Sequence, residues 1–244
     1  MNARRVGLVV ALAAEARALG APRGPGPCTL SDGTLLAVSG MGPAAAASAR
    51  SLLAAGAGAL ACCGLAGALA PGLRTGAILL PAEVISSTGA VLPTDEHWRT
   101  HAARALAALE PHAAGRLLTS ERALGTPADK SAAHERTGAL AVDMESAFVA
   151  EEARQRGCAF LCARVILDEA DDAVPPVLLA AADRGGAVRP LRLITALLRS
   201  PGELASVLHL ARRYRRAQAS LRALGRADLP AAAPPAVAPP GVAP

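Results

Sequence analysis

Aromatic residues are nearly missing from this chain of 244 residues: one Trp, one Tyr and two Phe make up 2% of it, although 52% is apolar. Its core must therefore be built from Ala, Leu and Val. Lysine is rarer still, with Lys130 the single one, so basic charge is carried by arginine. The five cysteines (28, 62, 63, 158, 162) include no C-x-x-C pair with zinc spacing, which favours reduced thiols in a cytosolic core. His134 has no second ligand at a metal spacing, so no metal site is expected. No apolar run reaches the about 18 residues of a membrane span without a Gly, Pro or charge breaking it. Arg4 and Arg5 precede an apolar run, as in a signal peptide, but Glu15 and Arg17 follow at once and the run fits a first buried strand. A cytoplasmic protein is expected.

The net charge of +5 is unevenly placed. Nine arginines fall within 187–228 against Glu203 and Asp228, so the remainder of the chain is slightly acidic. The basicity belongs to a C-terminal segment, and no nucleic-acid partner is expected.

The length suits one α/β domain, assigned to residues 1–226 with an Arg-rich helical part at 187–226. The Pro/Ala-rich tail at 227–244 lacks periodicity and is expected to be disordered. Residues 139–172 read as strand, helix, strand. Leu140 and Val142 lead into Asp143, Met144 and Glu145. A helix pattern follows and stops at Gly157, and a nearly continuous apolar run at 159–166 suits a strand buried on both faces. Asp168, Glu169, Asp171 and Asp172 come next. In an open α/β sheet, ligands bind beyond the carboxyl ends of parallel strands, so Glu145 and Asp168 are placed on one rim. Glu169, Asp171 and Asp172 read as capping, solvent-facing acids.

Earlier in the chain, 6–12 reads as a first strand with Glu15 at its carboxyl end. The spacing predicts a strand at 34–39, a helix over 44–55 after Pro43, a strand at 59–63 ending in a Gly64–Gly67 loop, a strand at 77–85 and a helix from about 95 to 109. Segment 112–138 reads as irregular and polar, a lid or subunit edge. Two helical patterns close the chain, at 191–198 and 204–224. Gly40 to Ala45 matches G-x-G-x-x-A, but the acid expected some 20 residues later is missing, which argues against a dinucleotide site. Such a loop can still present backbone N–H groups to an anion or a sugar, and the small residues around Ala66 and Gly67 can let a ligand approach the backbone.

In order, Glu15 after the first strand, SGMG at 39–42, CGLAGAL at 63–69, VDMES at 142–146 and VILDEADD at 165–172 resemble the nucleoside phosphorylase and nucleosidase superfamily. With LPTDEHW at 92–98 and the DK step at 129–130, the chain is most similar to the hopanoid-associated phosphorylases. The resemblance implies a three-layer α/β/α fold with a central mixed, mostly parallel sheet, and cleavage of a ribosyl–purine bond without a cofactor. It implies that Asp168 protonates the leaving purine, that Glu145 accepts the ribose hydroxyls above Met144, and that Glu15 orients the nucleophile. Asp143, Ala66 and Gly67 are further substrate-binding candidates. Gly40, Gly42 and Arg17 are the candidates for binding phosphate. A carboxylate flanking Asp168 is expected to raise its pKa. Leu65 and Leu167 stand where relatives that hydrolyse thioadenosines have Ser, and Cys62 where phosphate-binding relatives often have Arg. Inorganic phosphate and water both remain open as co-substrate. The substrate implied is a nucleoside with an apolar 5′ group, adenosylhopane, with methylthioadenosine or adenosylhomocysteine as the alternative. A non-catalytic nucleoside-binding protein is the remaining class. A homo-oligomer is expected, with peripheral membrane contact through the Arg-rich C-terminal helices.

Overall fold

Alternating burial along three neighbouring strands sets the architecture of the computed structural model, which describes residues 5–22, 27–175, 202, 204–227 and 229. The three are β1 (Val6–Val10), β4 (Ala59–Ala68) and β10 (Phe160–Asp168). Val6, Leu8 and Val10 of β1, Ala59, Ala61 and Cys63 of β4, and Leu161, Ala163 and Val165 of β10 share one core layer. Val9, Leu60, Cys62, Phe160, Cys162 and Ile166 share the other. This period of two, with both faces buried, is what a central parallel strand requires.

The ten-stranded sheet runs β2-β3-β1-β4-β9-β8-β6-β7, with β10 pairing β4 and β5 off that path. The remaining strands are β2 (Cys28–Thr29), β3 (Leu35–Val38), β5 (Ile78–Leu79), β6 (Glu83–Ile85), β7 (Val91–Pro93), β8 (Arg116–Thr119) and β9 (Ala141–Asp143). β1/β3, β1/β4, β4/β10, β6/β8 and β8/β9 are parallel. The antiparallel pairs are β2/β3, β4/β9, β5/β10 and β6/β7. Helices α2 (Ala44–Ala54) and α5 (Ser146–Gln155) cover one face through Ala45, Ala49, Leu52, Val149 and Ala153. Helices α1 (Ala13–Ala18), α3 (Glu96–Ala105) and α6 (Leu204–Arg226) cover the other through Ala16, Trp98, Ala102, Ala217, Leu221 and Leu224. Helix α4 (Pro127–Thr137) lies over the β8/β9 half, with Ala133 in a third cluster beside Leu69, Leu118 and Val142.

Three expectations change here. The 112–138 segment is not irregular: it holds β8 and α4, the latter capped by Thr126, whose hydroxyl accepts from Asp129 N, and closed by Gly138 in the left-handed conformation. The Gly64–Gly67 stretch is not a loop but the second half of β4, paired to β10 through Arg164↔Gly64 and Asp168↔Gly67. The 77–85 strand is two short strands flanking Pro81, because proline cannot donate to a ladder. Packing also runs past residue 226, since Trp98 Nε1 donates to Leu229 O at 2.6 Å and Ala227 and Leu229 lie against the core. The 191–198 helix and the tail from 230 fall outside the described residues.

Candidate active site

Glu15 sits in the first turn of α1, just past the end of β1. Its Oε2 accepts from Ala11 N (3.0 Å) and Leu12 N (2.9 Å), and its Oε1 from Leu65 N (2.9 Å) on β4. A buried carboxylate needs such donors. Burial raises the Glu15 pKa above the ordinary value, opposed by Arg164 and these amides.

Arg164 lies on β10 at the register of Gly64 and is fully buried. Its Nη2 ion-pairs with Asp143 and donates to Ser146 Oγ (2.9 Å) and Cys62 Sγ (3.1 Å), while Nε also reaches Ser146 Oγ. Nη1 has no acceptor among the described residues. A Cβ built on Gly64 would stand 2.5 Å from that nitrogen and 2.8 Å from Glu15 Oε1, so the two side chains converge over residue 64. The small residues of β4 thus make room for protein side chains as well as ligand. Gly67 does the same for Asp168, whose Oδ2 would lie 3.1 Å from a Cβ there.

Asp143 is spent on the scaffold. Besides Arg164, it accepts from Thr119 Oγ1 (2.7 Å) and from Ser146 N (2.9 Å), the latter bond capping α5. In the structure its bonds go to protein groups, and they hold Arg164 and the start of α5 in place. Glu145 follows at the N-cap position of α5, 4% exposed, with Oε1 accepting from Gly42 N (3.1 Å) and Oε2 3.7 Å from Arg164 Nη2. Burial and then Asp143 push its pKa up to about 7, against the pull of Arg164 and Gly42. Met144 between them is half-buried, and Ala66 is buried beside Gly67.

Asp168 ends β10 and is 7% exposed. Its partner is the ammonium of Lys130 from α4, a fully buried residue. Burial raises the Asp168 pKa while Lys130 lowers it. The raised direction is the expected one, and a carboxylate, Asp172, contributes to it after burial, but the ion-pair partner of Asp168 is a cation that the sequence reading did not place there.

Glu169 and Asp172 are not solvated caps either. Arg213 of α6 bridges Glu169 (2.9 Å) and Asp172 (2.6 Å), and Glu169 also takes Arg74 (2.7 Å) and Thr75 N (3.1 Å). These contacts tie the turn after β10 to α6. Asp171 is exposed, as expected.

The anion candidates are dispersed. Gly40 and Gly42 adopt the positive φ that favours glycine, but Gly40 N donates to Ala11 O (3.0 Å) and Gly42 N to Glu145. Arg17 is exposed, its Nε bonded to Ala13 O, on the side of α1 near Tyr214. The structure brings Glu15, Glu145, Met144, Ala66, Gly67 and Asp168 to one rim but does not assemble the phosphate set. Sequence reasoning missed Arg164 as part of the site and gave Lys130 no role. The signals were a lone cation inside the apolar run 159–166 and the single lysine of an arginine-using chain.

Residues 28–199, more than half of the chain, match the phosphorylase superfamily. The chain belongs to that superfamily. No curated protein matches it. Among solved structures it is similar to a mutant 5′-methylthioadenosine/S-adenosylhomocysteine nucleosidase of Helicobacter pylori with 5′-methylthioadenosine in the active site, at 15% identity and TM-score 0.64 over 91% of this chain and 97% of that one. A nucleosidase of the same kind from Colwellia psychrerythraea, in complex with adenine, aligns at 19% identity and TM-score 0.63 over 81% and 95%. A mutant futalosine hydrolase of Helicobacter pylori aligns at 18% identity and TM-score 0.59 over 67% and 89%. The expected phosphorylase-like α/β fold, with its mixed, mostly parallel sheet, is observed. Membership in the superfamily carries the reaction class with it, action on N-glycosyl bonds.

Proposed function

We propose that this chain cleaves the ribose–adenine bond of an adenosine carrying a large apolar 5′ group, adenosylhopane, releasing adenine in hopanoid assembly. The observation that carries the cleavage reading is the convergence, over Gly64 of β4, of Glu15 and of Arg164 Nη1, which has no acceptor among the described residues and belongs to β10, the strand that ends in Asp168. Glycosidic cleavage passes through an oxocarbenium-like state, which needs an acid for the leaving group and negative charge near the sugar. In this reading Asp168 gives a proton to the purine as the C–N bond breaks. Glu145 exchanges the Gly42 amide for the ribose hydroxyls, Met144 packs beneath the sugar, and Glu15 with Arg164 Nη1 holds the nucleophile.

Charge balance supports water as that nucleophile. Among the described residues, four buried carboxylates at the rim (Glu15, Asp143, Glu145, Asp168) face two buried cations (Arg164, Lys130), each already paired with a carboxylate, which leaves no further buried cation there for a phosphate dianion. The products are then adenine and ribosyl-hopane. The apolar 5′ group rests on the resemblance to the hopanoid-associated phosphorylases. Such a substrate resides in a membrane, and α6 offers exposed Leu208, Arg212 and Arg215, at the helical spacing that shares one face, for contact with the inner leaflet.

The test is adenine release from adenosylhopane, 5′-methylthioadenosine and S-adenosylhomocysteine, with and without inorganic phosphate. The expected outcome is the highest kcat/KM on adenosylhopane, at a rate independent of phosphate. Higher kcat/KM on methylthioadenosine would move the assignment to a small-molecule nucleosidase. Strict phosphate dependence would restore phosphorolysis, and adenosine binding without turnover would leave a binding protein.

A further inference from the structure

Lys130 is 0% exposed, and its three N–H groups meet three acceptors: Asp168 Oδ2, Glu169 O at 2.7 Å and Asp172 O at 3.0 Å. Removing an ammonium from water is costly unless it is paired and hydrogen-bonded, and here it is both. The neighbouring buried residue on the same face of α4 is Ala133, so packing alone does not call for a charge. The carbonyls of Glu169 and Asp172 bracket the turn after β10, which closes on itself through Glu169 N donating to Asp172 Oδ2 at 2.6 Å. Lys130 therefore fastens both the Asp168 carboxylate and the backbone that carries it.

We propose that Lys130 is the positioning residue of the acid: it directs the proton-bearing oxygen of Asp168 toward the substrate and sets the pH range over which Asp168 holds that proton. The inference rests on the reading of Asp168 as the group that protonates the leaving base. An oxygen that accepts a bond from an ammonium is a poor place for a proton, so the acid proton is carried on Oδ1. In the chemical step Oδ1–H goes to a ring nitrogen of the adenine as the C–N pair leaves with the base. The carboxylate that remains is stabilised by its ion pair with Lys130. Asp168 then recovers its proton from solvent.

The charged groups that face Asp168 are Lys130 from α4, Glu169 and Asp172 from the following turn and Arg213 from α6, with Arg74 acting through Glu169. On β4 the neighbour is Gly67. A nearby cation favours the ionised carboxylate and burial opposes it. Without Lys130, burial and Asp172 are opposed only by Arg213 among these groups, and Asp168 keeps its proton to higher pH.

The experiment follows the Asp168 carboxyl by NMR in full-length protein labelled with 13C at the aspartate carboxyls, the resonance being assigned by its loss in D168N. The expected result is a titration midpoint at least about one pH unit higher in K130M than in wild type, with K130R close to wild type. In adenine release, K130M should lower kcat by about 10–100-fold with KM little changed, and move the alkaline limb of the kcat profile upward. Should K130M fail to fold, K130Q carries the same expectation. An unmoved midpoint in a folded K130M or K130Q, or an equal shift in K130R, overturns the inference. D168N separates this from the underlying reading: near-wild-type turnover there removes Asp168 as the acid, whereas a loss of about 10²–10⁴-fold with an unmoved K130M midpoint sinks the role of Lys130 alone.

Discussion

Arg164 and Gly64 stand opposite each other across the β4–β10 ladder, and the guanidinium occupies the space that a side chain at 64 would fill. In the proposed reaction, that relationship puts the glycine on the nucleophile's side of the site. The arginine is held at its other nitrogens by Asp143 and Ser146, so it cannot swing away without breaking buried bonds.

Gly64→Ala should accordingly leave a folded protein whose kcat falls by about 10²-fold, because a shift of about 1 Å in a positioning group is enough for such a loss. Affinity for the sugar, held by Glu145 elsewhere on the rim, should change much less. Steady-state kinetics together with an inhibitor-binding measurement checks this; wild-type kcat in G64A would mean that Arg164 and Glu15 tolerate displacement and do not hold the nucleophile.

Glu145 carries a pH signature. Its folded-state pKa of about 7 lies above the ordinary 4.5, so the native state favours the protonated form. The resulting stabilisation is fully present below about pH 4.5 and is lost as pH rises through about 7. Glu145→Gln, neutral at every pH, should therefore gain in Tm relative to wild type on going from about pH 4 to about pH 8. The same variant should penalise ribosides strongly and 2′-deoxyribosides much less, since each hydroxyl-to-carboxylate bond is worth about 1.5–3 kcal/mol. Equal penalties on the two sugars would remove Glu145 from the ribose.

The arginines of α6 divide into two groups. Arg213 is half-buried and bonded to Glu169 and Asp172, whereas Arg212 and Arg215 are exposed. Replacing Arg212 and Arg215 with Gln should reduce co-sedimentation with anionic vesicles at low salt and spare turnover of a soluble adenosine analogue. Arg213→Gln should instead reduce turnover, because it loosens the turn that carries Asp168. High salt should release the wild-type protein, as surface attraction of about 1 kcal/mol per basic residue is screened. Wild-type protein that never sediments with vesicles would leave Arg212 and Arg215 as solvated surface.

Much of the fold was legible because strands β1, β4 and β10 are nearly continuous apolar runs, and because Gly157 closes a helix with backbone that glycine adopts easily. What failed in 112–138 failed for want of contrast. The buried face of α4 is an alanine and a lysine, and β8 is four residues long, so neither shows a hydrophobic period. Gly64 and Gly67 read as loop because glycine is a poor strand former. In the fold they are strand because Arg164, Glu15 and Asp168 occupy the space above them.

By itself, the sequence determined the core composition, the order of the main elements and the three acids, Glu15, Glu145 and Asp168, that follow strands to one rim. Each of these depends on residues close together in the chain, whose spacing carries the information. Only the tertiary structure decided the electrostatics of that rim: Lys130 against Asp168 across 38 residues, Gly42 against Glu145 across 103, and Arg164 against Asp143. Whether a buried carboxylate is ionised depends on which cation the neighbouring strand or helix brings within a few ångströms, and that is set when the sheet is assembled.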